Sequence, residues 1–188
     1  MSHFKSRRKG RVLVDLPPYA AGLLANLTRQ LIELLSDGEP MTHPGADPLE
    51  AMLELDSPRD EPEDPALLRL LPNARPDDDE AAAEFRRFTE RNLRESKIRD
   101  ARSMLKSLGD IGDVGESDLE FELDAEHVRS WLRCLTDLRL TLAERLGVTA
   151  DDDARWESLP PDDERLPIHE IYGWLGYLLE SLLDAVQR

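Results

Sequence analysis

The segment that follows Pro167 constrains the fold most. Ile168, Ile171, Tyr172, Leu175, Leu178, Leu179, Leu182, Leu183 and Val186 recur every three or four residues, which lines them along one side of a helix. Such a helix is stable in water only when other elements cover that side. A second stripe, Val128, Trp131, Leu132, Leu135, Leu138, Leu142 and Leu146, has the same period, starts after Asp124 as a cap and stops at Gly147. The density of the C-terminal stripe predicts a central place for its helix, with Trp174 and Tyr177 at the margins. Burying one large aliphatic side chain contributes about 1.5–3 kcal/mol before chain entropy is subtracted, so these two helices are expected to supply most of the core.

Earlier segments supply the cover. Pro17 and Pro18 suit a helix's first turn, and Leu23, Leu24, Leu27, Leu31, Leu34 and Leu35 then share a face up to Gly38. Asp64-Pro65-Ala66-Leu67-Leu68 predicts a short capped helix stopped by Pro72. Between them Pro40, Pro44, Pro48, Pro58 and Pro62 interrupt an acidic stretch, predicting a flexible segment at about 38–63 with one short helix around Leu49, Met52 and Leu53. No proline or glycine interrupts Asp77 to Leu108, which predicts the longest helix, partly facing solvent. Val12 and Val14 read as a short strand, and Leu119, Phe121 and Leu123 alternate with acids as a second. Two strands alone are marginal, so they are expected to pair with each other under helical cover, or across a homodimer. The expected fold is mainly α: a single-domain helical bundle over 1–188 with a small two-stranded β element.

Charge narrows the function. With 24 basic and 40 acidic residues the net charge is −16. A phosphate backbone is bound by cations that displace its counterions, so direct DNA binding is disfavoured unless a basic patch is set apart. Anionic membranes are disfavoured for the same reason, and no apolar run reaches the roughly 18 residues of a membrane span. Met1 to Arg11 is basic with no apolar stretch behind it, unlike a secretory signal, and a cytoplasmic location is expected. The one cysteine, Cys134, has no partner for an internal disulfide.

Catalytic chemistry is not written in any motif. His3, His43, His127 and His169 are too scattered for two imidazoles to share a helix face, and neither Asp77-Asp78-Asp79 nor Asp151-Asp152-Asp153 has the ligand order of a calcium loop. Gly109, Gly112 and Gly115 follow a helix rather than a strand, with Asp110 and Asp113 placed to repel phosphate. There is neither a nucleophile elbow nor a Walker-type lysine loop. No catalytic, cofactor or metal residue is assigned, and no enzyme activity is expected unless dispersed residues converge. A dense basic segment in the long helix contains Arg86, Arg87, Arg91, Arg94, Arg99 and Arg102. Of these, Arg86, Arg87, Arg91 and Arg94 are candidate partner-binding residues. The alternative is a solvated face on which Glu90 pairs with Arg94 and Glu95 with Arg99. Cys134 is a candidate redox thiol, or a small side chain that fills the edge of the core. Arg69 and Arg139 lie in apolar stretches, where Glu84, Glu90 or Asp137 are candidate partners.

Four ordered segments carry a further signal. They are Asp64-Pro65-Ala66-Leu67-Leu68-Arg69-Leu70-Leu71-Pro72, Glu80 to Glu90 with Phe85-Arg86-Arg87-Phe88 at its centre, Trp131 to Leu140 with Arg133-Cys134 and Asp137-Leu138-Arg139, and Tyr172-Gly173-Trp174-Leu175-Gly176. Together, and from the Val12 strand to Val186, the chain resembles an actinobacterial domain-of-unknown-function family that includes the actinomycete oxidative-stress regulator AosR. The resemblance implies a regulator that acts through protein contacts, with a stress sigma factor or other transcription machinery as partner. It also implies oxidant sensing through an internal disulfide. With a single cysteine, Cys134 is left at most a mixed or intersubunit disulfide.

Overall fold

A computed structural model describes residues 3–36, 62–72, 79–109, 118–149 and 152–187, with the side chains of 79–88 and 153 excepted. The expected segment at 38–63, its short helix around Leu49 to Leu53, and the glycine loop after Gly109 fall largely outside these residues.

In chain order the elements are β1 (Phe4–Ser6), a 3-10 turn (Arg8–Gly10), β2 (Val12–Leu16), α1 (Pro18–Ser36), α2 (Pro65–Leu70), α3 (Asp79–Leu108), β3 (Leu119–Leu123), α4 (Ala125–Leu146), α5 (Asp153–Glu157) and α6 (Leu166–Gln187). The fold is mainly helical with a small antiparallel sheet. The expected pairing forms in register, Val12 opposite Leu123, Val14 opposite Phe121 and Leu16 opposite Leu119. The sheet has three strands, however, not two: β1 pairs on the far side of β2, Phe4 opposite Val14 and Ser6 opposite Val12. Phe4-Lys5-Ser6 is too short to show an alternation, and only the pairing makes it a strand. The turn that returns it uses Lys9 and Gly10 at positive φ, 63° and 69°, which lysine adopts only at some cost.

Local chemistry sets the helix ends. Asp64 accepts the Ala66 amide at 2.8 Å to start α2, and Asp124 accepts those of Glu126 and His127 at 2.9 Å to start α4. Gly147, at φ 63°, closes α4 in the left-handed region. Between Gly147 and Leu166 lies α5, whose Trp156 is buried.

The centre belongs to α4, not to the C-terminal helix. Helix α4 packs against α1, α2, α3, α6 and β3, and Val128, Trp131, Cys134, Leu135 and Leu138 are all buried. Helix α6 covers one side of it with Leu175, Leu178 and Leu182, while Ile168, Tyr177, Leu183 and Val186 remain exposed. The sheet joins this core through Trp131, whose ring meets Phe4 edge-on at 6.0 Å and Phe121 at 5.8 Å. No helix among the described residues is long and apolar enough to cross a membrane.

Candidate protein-interaction surface on helix α3

The thirty residues of α3 divide into two faces. Ile98, Ala101, Met104 and Leu108 are buried against α1 and α4, and their three- and four-residue spacing fixes which side chains turn outward. Those are Arg91, Glu95, Arg99, Arg102 and Lys106.

The cations of the buried side are neutralised within the fold. Arg94 is 3% exposed; it donates to Glu90 at 2.8 Å and to the Leu35 carbonyl, near the end of α1, at 2.6 Å. The expected Glu90–Arg94 pair therefore exists, but inside the protein. Lys97 reaches across to Asp137 on α4 at 2.6 Å. From α4, Arg133 returns a two-pronged bond to Asp100 at 2.6 and 2.8 Å. Burial raises the Asp100 pKa, but hydrogen bonds from Arg133 and Ser130 and the charge of Arg133 outweigh it, leaving Asp100 below the ordinary carboxylate value. Burial and the neighbouring Asp100 charge push Asp137 up, against the pull of Lys97. These two pairs floor a groove of about 390 Å³ between α3 and α4, rimmed by Leu93, Leu132 and Leu140.

On the outward face Glu95 pairs with Arg91 at 2.9 Å, not with Arg99 as its spacing also allowed. Arg99, Arg102 and Lys106 are exposed and form no ion pair or side-chain hydrogen bond among the described residues. Spaced three and four apart, they form one cationic stripe on a chain of net charge −16.

Of the four candidate binding residues, Arg91 lies on the same outward face, paired with Glu95, and Arg94 does not. Arg86 and Arg87 belong to α3, but their side chains lie outside the description. Lys106 was missed, although the sequence held a signal: Arg102 has no acid three or four residues away, and the one four residues after Lys106, Asp110, lies beyond the helix end at Leu108. Arg69 is exposed, and Arg139 lies over the Tyr172 ring at 4.8 Å and pairs with no carboxylate among the described residues. Cys134 is 1% exposed; burial, with the nearby Asp137 charge, pushes its thiol up to about 12, so the thiolate that would react with an oxidant is strongly disfavoured in the closed fold. No three His, Cys, Asp or Glu side chains converge as metal ligands among the described residues.

Comparison with known proteins agrees over nearly the full length. A family model described as "Domain of unknown function (DUF2017)" matches residues 1–186. A protein of Mycobacterium leprae (strain TN), provisionally named oxidative stress regulator AosR, is 32% identical over 180 residues, covering 90% of this chain and 79% of that protein. No solved structure matches.

Proposed function

The chain belongs to the DUF2017 family, and from that premise we propose that it is a non-enzymatic cytoplasmic regulator that binds a protein of the transcription machinery through the outward face of α3. The observation that carries the reading is the Arg99, Arg102 and Lys106 stripe. Among the described residues these cations have no internal pair to break, so the reorganisation that opposes association is small there. The regulator name of the M. leprae relative supports a role of this class. The burial of Cys134 separates this reading from direct thiol sensing, since the cysteine has no role in it.

Crosslinking in the native cell, followed by affinity capture and mass spectrometry, tests the proposal. Wild type retains a sigma factor or polymerase subunit, and the variant carrying Arg99→Glu, Arg102→Glu and Lys106→Glu loses it while keeping its helical circular dichroism. Recovery of neither class at low salt refutes it. The same stripe fits a nucleic-acid backbone, and this second reading predicts salt dependence. Three phosphate contacts give a slope of about −3 in log K against log salt, and a missing mobility shift at low ionic strength removes it. The net charge of −16 favours the protein partner.

A further inference from the structure

Helix α4 holds an arginine to which the described residues supply no acid. Arg139 is part-buried where α4 meets α6, its Cζ lying 4.8 Å from the centroid of Tyr172. It also lies over Gly176: a Cβ there would stand 3.3 Å from both its Cζ and its Nε, so the missing side chain makes room for the guanidinium. Its Nε is buried without an acceptor, and none of its donors meets an acceptor among the described residues. The sequence shows why on α4 itself, because positions three and four away are Leu135, Thr136, Leu142 and Ala143.

The support beneath the guanidinium is rigid. Tyr172 stacks toward His169 at 6.1 Å, His169 lies on Trp156 at 4.1 Å and 13°, and Arg155 closes the far end 5.3 Å over the indole. A long arginine normally loses much rotamer freedom when it engages a ligand; here the ring column and the glycine seat have already removed it. With Nε buried, the terminal nitrogens are the donors left to a ligand, and their planar geometry fits a carboxylate.

We propose that Arg139, seated between Tyr172 and Gly176, is the receptor for a carboxylate on an acidic side chain of the partner protein. This rests on the protein-contact reading above and adds a second anchor to it. Among the described residues no carboxylate meets this guanidinium, and a carboxylate brought by the partner is its charge complement.

The test uses the 15N-labelled full chain, reading arginine Nε–Hε signals while N-acetylglutamate N-methylamide is added as the probe. Arg139→Lys assigns the Arg139 signal by its disappearance. That signal is expected to move along a saturable curve, with the other arginines shifting little, and to lose saturation in Gly176→Val, whose fold is checked by circular dichroism. A response no larger than that of Arg165, or one that persists in Gly176→Val, overturns the proposal. So does inorganic phosphate saturating the signal at lower concentration than the carboxylate, which would make the ligand a phosphoryl group. A shift on diluting the protein alone overturns it in favour of a second copy of the chain. Because no transcription protein enters this experiment, its failure leaves the α3 capture result standing, and failure of the capture leaves this one readable.

Discussion

Replacing Arg94 by alanine tests whether this arginine belongs to the fold or to a binding surface. The side chains of Arg94 and Glu90 are only 4% and 6% exposed, and Arg94 also holds the Leu35 carbonyl. Its removal strands a buried carboxylate and an acceptor at the end of α1. Breaking a buried pair from one side costs about 3–5 kcal/mol, and at roughly 2–4 °C per kcal/mol for a chain of this size the midpoint falls by about 6–20 °C. Urea unfolding followed by tryptophan fluorescence measures it, with the fully buried Trp131 as a native-state reporter. Pairing Arg94→Met with Glu90→Leu replaces both charges by apolar groups and should recover most of the loss, because the penalty lies in the stranded charge rather than in a missing attraction. A loss for Arg94→Ala below about 1 kcal/mol, the range of exposed pairs, would refute the reasoning. A double variant no more stable than the single one would do so as well.

Other outcomes follow from the same geometry. Asp100 has a lowered pKa in the fold, so its contribution is fully present above the ordinary carboxylate value and is lost as pH falls through the lowered one. Asp100→Asn should therefore cost about 1–2 kcal/mol at neutral pH, with the difference from wild type shrinking below about pH 4 in urea titrations; a gap that widens on acidification contradicts this. Cys134, with its thiol pushed up to about 12, should resist a maleimide at pH 8 in the native chain and react promptly in denaturant, and equal rates in the two states would place it at the surface. Leu182→Ala, at a fully buried position of α6, should destabilise by about 2–5 kcal/mol in the same unfolding assay, whereas Leu183→Ala, 40% exposed, should cost clearly less.

What the sequence made legible is what neighbouring residues decide. Asp64, Asp124 and Gly147 act on backbone groups within four residues of themselves, and the alternation in β2 and β3 identified a pairing that needed no knowledge of the helices. Strand β1 was invisible because its one buried apolar residue, Phe4, is too little to form a pattern. The arginines show the limit most clearly. Arg94 and Arg99 look alike along the chain, yet Arg94 is drawn inward by a carbonyl 59 residues away on α1, and no local rule contains that. Arg139 was expected beside an acid because buried arginines commonly are; among the described residues its neighbour is an aromatic ring from α6. The apolar density of α6 reads as centrality, but a helix can be richly apolar and still leave Ile168 and Val186 exposed.

The middle strand of the sheet has a bearing on how the chain is made. Strand β2 finds β1 at once, across the turn at Arg8–Gly10, but its other neighbour begins only at Leu119. On a ribosome adding about 5–20 residues per second, the nascent hairpin waits roughly 5–20 s with one edge open and Val12, Val14 and Leu16 uncovered. Over that interval a chaperone, or another nascent copy, competes for the edge that Phe121 and Leu123 later fill. Synthesis order thus makes the N-terminal ribbon the place where this protein is most exposed to mispairing, long before the finished molecule shows any weakness there.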